Sequence, residues 1–388
     1  MSDQSVVDGL VRFVRARFAT DDFIPLHAPV FAGNEQAYVL DTIQSTFVSS
    51  VGAYVDRFEA DMAAYTGCER AVATMNGTAA LHMALRLVGV EPGDLVVTQP
   101  LTFVATCNAI AYCGAEPVFV DVDRHTLGLS PAALDAWLAA NALVDDGGRC
   151  VTNDDGRVVR ACVPMHTFGH PADIDGLVEV CARWGIALIE DAAESLGSFY
   201  KGRHTGIFGA VGTLSFNGNK VITTGGGGML LTDATTGKRA KHLTTTAKVP
   251  HAYEYVHDEV GYNYRLPNLN AALGCAQLEQ LDGFVARKRA LADDYRTFLD
   301  GSDLTFVVEP DGCRSNYWLN AVICQDMAHR EALLAATNRE GVMTRPIWAL
   351  MNNLGMYAGC RRGPLDTAQW LEERVVNLPS SVPPEGAR

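Results

Sequence analysis

Between about residue 55 and residue 230 short apolar runs alternate with amphipathic segments, and this alternation restricts the chain to one class of architecture. Ala71-Val72-Ala73-Thr74-Met75 reads as a strand, and Gly77-Thr78 opens a helix running to about Leu87, with Gly89 as a stop signal. Leu95-Val96-Val97-Thr98 is strand-like, Val104 to Tyr112 helical, and Pro117 to Val122 strand-like again. Ser130-Pro131 supplies an N-cap with proline in the first turn of a helix to about Ala140. Ala161 to Met165, a helix around Asp173 to Trp184, and Ile186 to Glu190 continue the series. Strands alternating with such helices predict an α/β fold with a mostly parallel sheet covered on both faces, which gathers ligands at the carboxyl ends of its strands.

Outside this region the pattern loosens. Asn141 to Arg160 is rich in Gly, Asp and Asn and predicts a hairpin-like excursion, and a long helical stretch is expected from Asn268 through Leu281 to about Phe298. We expect an N-terminal extension (1–22), a large domain (23–265) and a smaller C-terminal domain (266–388).

Bulk properties exclude several function classes. A formal net charge of −14 disfavours nucleic acid and anionic membranes as partners. No stretch of about 20 apolar residues could span a bilayer, and charges interrupt every apolar run from Val6 to Arg15, so a cytoplasmic protein is expected. The ten cysteines show no Cys-x-x-Cys pair and no zinc spacing. His166 and His170 flank a turn without a third ligand in register, so they read as structural and no metal is expected.

Five segments at predicted strand ends carry chemistry. Lys220, in Ser215-Phe216-Asn217-Gly218-Asn219-Lys220, lies in a Gly/Asn-rich turn where backbone can approach a ligand closely. Asn76-Gly77-Thr78 sits where a strand gives way to a helix, so free N–H groups and the helix dipole can seat a phosphate, with the Ser215 hydroxyl as a further donor. Asp191 ends a buried apolar run, where a carboxylate either caps a helix or keeps a ring nitrogen protonated. Phe103 opens the segment after another strand and can stack on a planar ring, and Asn263 offers an amide in an aromatic-flanked turn. Phosphate seat, anion, aromatic and lysine together describe a site for pyridoxal 5'-phosphate (PLP).

The ordered segments Asn76-Gly77-Thr78, Thr102-Phe103-Val104-Ala105-Thr106, Pro164 to Asp173, Glu190-Asp191-Ala192-Ala193, Ser215 to Gly225 and Gly261 to Arg265 resemble the DegT/DnrJ/StrS sugar aminotransferases, from Ile24 to Ser380. The resemblance implies an aspartate-aminotransferase-like fold and a homodimer with active sites at the subunit interface. It implies that Lys220 bonds covalently to the cofactor, Asp191 pairs with the ring nitrogen, Phe103 stacks on the ring, and Gly77, Thr78 and Ser215 bind the phosphate, with Asn263 reaching it from the neighbouring subunit. Glu194 stands where the family commonly has Gln near the ring oxygen, and Gly226 replaces a usual acid.

Pro29 to Glu35, Ser45 to Gly52, Asn217 to Lys220 and Thr244 to Pro250 resemble, more narrowly, the LegC branch. That implies transfer of an amino group from L-glutamate, through pyridoxamine 5'-phosphate, to the C4 ketone of a UDP-linked 4-keto-6-deoxy-N-acetylhexosamine. The alternatives are a GDP- or dTDP-linked keto sugar, or a non-catalytic PLP-binding sensor. Lys248 and Arg345 are the candidate anion contacts for the substrate diphosphate.

Overall fold

In the computed structural model, which describes residues 3–384 and Gly386, the predicted strands assemble into one seven-stranded sheet. Met1, Ser2, Glu385, Ala387 and Arg388, at the outer ends of the expected N-terminal extension and C-terminal domain, lie outside the described residues. In spatial order the strands are Arg70–Thr74, Gly228–Thr232, Val211–Ser215, Ala187–Asp191, Val159–Val163, Leu95–Thr98 and Glu116–Phe119. Gly228–Thr232 pairs antiparallel with both its neighbours, and the other pairings are parallel. The mostly parallel sheet expected from the alternation is therefore present, with one opposed strand inserted near its edge.

Period-two alternation covers both faces. Val72, Val96, Val163, Ile189, Val211 and Leu230 pack on one side with Leu81, Met83 and Leu85 of the helix Gly77–Leu87. Their neighbours Ala71, Ala73, Leu214, Met229 and Leu231 face the other way, against Phe58 and Met62 of the helix Ala53–Thr66. Each fully buried Leu or Val contributes roughly 1.5–3 kcal/mol, so the period itself fixes which face each residue takes.

Local capping places the helix starts where the sequence indicates. Asn76 Oδ1 accepts from Ala79 N at 2.8 Å, Ser130 Oγ from Ala133 N at 3.2 Å, and Asp173 Oδ1 from Gly176 N at 3.2 Å. The excursion after Asn141 contains a short antiparallel pair, Ala142–Val144 with Cys150–Thr152. The expected long helix divides into Asn268–Leu278 and Leu281–Leu299. No Gly or Pro marks the break. Tertiary contacts sit there instead, with Glu279 accepting from Asn34, Tyr38 and Arg57 while Gln280 donates to Glu35.

A second sheet, wholly antiparallel, joins Thr305–Phe306, Asn320–Ile323, Val375–Leu378 and Arg345–Pro346. Leu10 and Val14 of the helix Asp3–Phe18 are fully buried in a cluster with Leu291, Tyr295, Val322 and Val376. The N-terminal segment thus packs on the C-terminal part of the chain. Among the described residues no helix is long and apolar enough to cross a membrane.

Candidate active site

A cavity of about 390 Å³ opens at the carboxyl ends of the parallel strands and is lined by Gly77, Thr78, Phe103, Asp191, Glu194, Ser215 and Lys220, together with Asn76, Trp318 and Trp348. Most of the residues expected to hold the cofactor thus converge on one space. A wider surface depression of about 500 Å³ between Phe199 and Arg314 has no such gathering of functional groups.

Glu190 and Asp191 are neighbours on one strand, and the pleat sends them to different fates. Glu190 accepts from the backbone N–H groups of Gly206, Phe208 and Gly209 and faces His166 Nε2 at 3.1 Å. Because Ala172 N–H donates to His166 Nδ1, the ring proton resides on Nε2 and points at Glu190. Burial by itself would raise the Glu190 carboxyl, but His166 and these donors outweigh it and hold it below the ordinary carboxylate range. Its acceptor capacity is used up in holding the loop 206–209. His166 in turn bridges Glu190 and the backbone N–H of Ala172.

Asp191 faces the cavity. Its Oδ2 accepts from Thr106 Oγ1 at 2.7 Å and its Oδ1 from Ala193 N at 3.2 Å. Burial raises its pKa, while Thr106, Ala193 and the charge of Lys220 oppose the shift. A cation arriving opposite this carboxylate would favour its anionic form, which is the response required of a partner for a protonated ring nitrogen. Thr106 lies one helical turn beyond Phe103 and was not singled out from the sequence.

Lys220 closes the turn from Asn217, donating its backbone N–H to Asn217 O at 3.0 Å. Its Nζ lies 3.3 Å from Glu194 Oε1 and 4.0 Å from the centroid of the Trp318 ring, with the side chain only 12% exposed. Burial raises the Glu194 carboxyl to about 7, opposed by Lys220 and by the N–H of Phe168 on its other oxygen.

The turn expected to seat a phosphate is built from backbone. Gly77 begins the helix Gly77–Leu87, capped by Asn76, and a Cβ at Gly77 would come within 2.9 Å of Ser215 Cβ. A Cβ at Gly228 would meet Asn76 O at 2.4 Å and Gly77 N at 2.7 Å, so this glycine lets the turn rest directly against the opposed strand. Phe103 stands at the start of the helix Val104–Tyr112 with half its surface exposed. An exposed ring, a helix N-terminus, a buried carboxylate and an amine on one cavity fit PLP by the chemistry of the donors.

Three predicted residues lie elsewhere. Asn263 Oδ1 accepts from Arg265 Nε at 2.9 Å and does not line this chain's cavity. Lys248 places its Nζ over the Tyr255 ring, 4.2 Å from the centroid, and Arg345 donates to Asn338 Oδ1 and Thr344 O, each at 2.9 Å. Conversely, Trp318 and Trp348 line the cavity although no local pattern in the sequence marks them.

Residues 30–385 match the DegT/DnrJ/EryC1/StrS aminotransferase family. The chain is 37% identical over 360 residues to a GDP-perosamine synthase of Escherichia coli O157:H7, covering 92% of this chain and 93% of that protein. It is 35% identical to a GDP-perosamine synthase of Vibrio cholerae, covering 92% and 94%. Among solved structures it is similar to the aminotransferase TlmJ of Streptoalloteichus hindustanus, with a TM-score of 0.83, 30% identity and coverage of 92% and 93%. The chain belongs to the DegT/DnrJ/EryC1/StrS aminotransferase family, and it is a PLP-dependent sugar aminotransferase.

Proposed function

We propose that the protein transfers an amino group from L-glutamate to the keto carbon of a GDP-linked keto sugar. The observation that carries the chemistry is the placement of the Lys220 amine in one cavity with Asp191 and Glu194, above a helix N-terminus suited to phosphate. The GDP assignment rests on similarity, over nine-tenths of the chain, to relatives named for a GDP-linked product. It displaces the UDP-linked N-acetylhexosamine, which remains the second reading because of the LegC-like segments around Ser45 to Gly52 and Thr244 to Pro250.

In this reading Gly77, Thr78 and Ser215 would hold the cofactor phosphate, Phe103 would stack on the ring and Asp191 would pair with the ring nitrogen as an anion. Glu194, when protonated, donates toward the ring oxygen. When bound, PLP supplies an electron-accepting ring that eases loss of the Cα proton and carries the amino group between the two half-reactions. Lys220 anchors the cofactor covalently. Once displaced by the amino donor, its free Nζ would take the proton from the donor's Cα in the first half-reaction and deliver one to the sugar carbon that gains the amine in the second.

The working unit in this proposal is a homodimer in which Asn263 completes the partner's phosphate site. The rim that carries it supports that reading. Tyr253, Tyr255 and Val260 are each at least 80% exposed, beside Lys248 on the antiparallel pair Lys248–Val249 and Val256–His257. Lys248 is assigned with Asn263 to the neighbouring site, while Arg345 keeps the weaker assignment to the diphosphate. The division into 23–265 and 266–388 is part of the same proposal.

The test supplies the PLP-loaded protein with L-glutamate and a panel of GDP-, UDP- and dTDP-linked 4-keto-6-deoxy sugars and follows products by mass spectrometry. Glutamate-dependent amine formed preferentially from the GDP sugar supports the assignment. Preferential amination of the UDP-N-acetyl sugar overturns the nucleotide and restores the second reading. Loaded protein that aminates no keto sugar and leaves glutamate unconsumed points to a PLP-binding sensor.

A further inference from the structure

We propose that Trp318 and Glu194 form a two-sided cradle for the Lys220 amine, with Trp318 the positioning residue that keeps the freed lysine over the reacting atoms. The inference deepens the reading above, resting on Lys220 as the residue that moves protons. A lysine released during turnover swings on four rotatable bonds, and its amine must return to one place in each half-reaction. The structure supplies the restraint. Glu194 Oε1 lies 3.3 Å from Nζ, and the indole face lies 4.0 Å from it, close enough for a cation–π contact.

The two walls are tied together. Asn316, fully buried, donates from Nδ2 to Glu194 O at 2.9 Å and to Leu196 O at 2.8 Å, while its Oδ1 accepts from Trp318 N at 2.8 Å. Trp318 Nε1 donates to Asn219 O at 2.7 Å, pinning the residue that precedes the lysine. Lys288, fully buried, donates to Trp318 O at 3.2 Å from behind.

Both walls are also reached through backbone in an unfavourable conformation. Tyr317, which delivers Trp318, has φ +47°, and Phe168, whose N–H fixes Glu194 Oε2 at 2.9 Å, has φ +58°. Non-glycine residues in the left-handed region are disfavoured and concentrate where a site requires one geometry. Two of them bracket this single amine, and Leu319 N donates to Phe168 O at 3.4 Å, joining the segments.

The experiment measures the reactivity of Lys220 itself in the full chain freed of cofactor. An amine-labelling reagent is applied across a pH series and the labelled peptides are quantified by mass spectrometry. Exposed Lys201 serves as rate reference and buried Lys288 reports the fold. The charged and titratable groups whose fields reach Lys220 are Asp191, Glu194 and His27. Trp318→Leu lowers the midpoint of Lys220 labelling by about half a pH unit or more, because a π face that stabilises the ammonium is gone. Glu194→Gln moves it the same way, whereas Trp318→Phe, which keeps a ring face, stays near wild type.

In the loaded enzyme Trp318→Leu lowers kcat about tenfold with little change in the sugar KM, and Trp318→Phe restores most of it. Wild-type midpoints in both Trp318→Leu and Glu194→Gln, with Lys288 still protected, would overturn the cradle. If Trp318→Leu unfolds and exposes Lys288, a wild-type midpoint in Glu194→Gln by itself overturns the cradle. Turnover retained by Lys220→Ala would remove the reading beneath the proposal, and the labelling midpoints are obtained without any turnover.

Discussion

The floor of the cavity and the exposed rim around residues 248–265 are built on opposite terms. On the floor, Asp191, Glu194 and Thr106 are nearly fully buried and hydrogen-bonded within one chain. On the rim, Tyr253, Tyr255 and Val260 project into solvent, and Asn263 is engaged by Arg265 of its own chain. The floor's polar side chains find their hydrogen-bond partners within their own chain. The rim exposes apolar area at Tyr253, Tyr255 and Val260, the kind of surface that the proposed second copy would cover. In the proposal, catalytic chemistry and subunit pairing fall to separate stretches of sequence.

The largest effects should come from the floor. Lys220→Ala should lower amine formation by about 10,000-fold or more and abolish the covalent link to PLP, read by mass spectrometry of product and protein. Asp191→Asn should retain PLP but slow both half-reactions by about 100- to 1,000-fold, measured by stopped-flow absorbance with glutamate and then with the keto sugar. Near wild-type rates would mean that this carboxylate is merely a cap.

Gly228→Ala tests the seat without replacing any residue that donates to it. The new methyl would strike Asn76 O and Gly77 N, so PLP affinity should fall about tenfold or more in a fluorescence titration. The rim is tested by mixing. Lys220→Ala and Asn263→Ala subunits, each inactive or weak alone, should recover about a quarter of wild-type activity after subunit exchange, since half the pairs are mixed and each mixed pair has one intact site. No recovery, in mixtures shown to have exchanged, would place Asn263 outside the neighbouring site.

A separate effect concerns pH. In the folded protein without cofactor the Glu194 carboxyl is raised from 4.5 to about 7 by burial. The folded state therefore holds a proton that the unfolded chain releases, and this contribution is full below pH 4.5 and lost as pH rises through 7. The gap corresponds to roughly 3 kcal/mol. Wild-type stability without cofactor should fall from pH 4.5 to pH 8 in urea melts, and Glu194→Gln should flatten that slope.

The same contrast separates what can be read in the sequence from what cannot. Asn76, Ser130 and Asp173 act through neighbours three residues away, so their caps are visible in a linear reading. Lys220, Asp191 and Phe103 follow strands whose alternation announces the sheet, and chemistry collects where such strands end. Trp318 reaches Lys220 across nearly a hundred residues through a left-handed turn at Tyr317, and nothing in Ser315-Asn316-Tyr317-Trp318 signals it. The break at Glu279 and Gln280 likewise depends on Asn34, Glu35, Tyr38 and Arg57, far upstream. Charge alone selected Lys248 and Arg345, and neither lines the cavity, because a cation in sequence carries no direction in space.

The most direct test of the central claim is borohydride reduction of the PLP-loaded protein followed by peptide mass spectrometry, with and without prior L-glutamate. The account predicts a phosphopyridoxyl adduct on Lys220 that disappears when glutamate is added before the reductant. An adduct on Lys201, Lys248 or Lys288 instead, or one on Lys220 that glutamate leaves untouched, would contradict it.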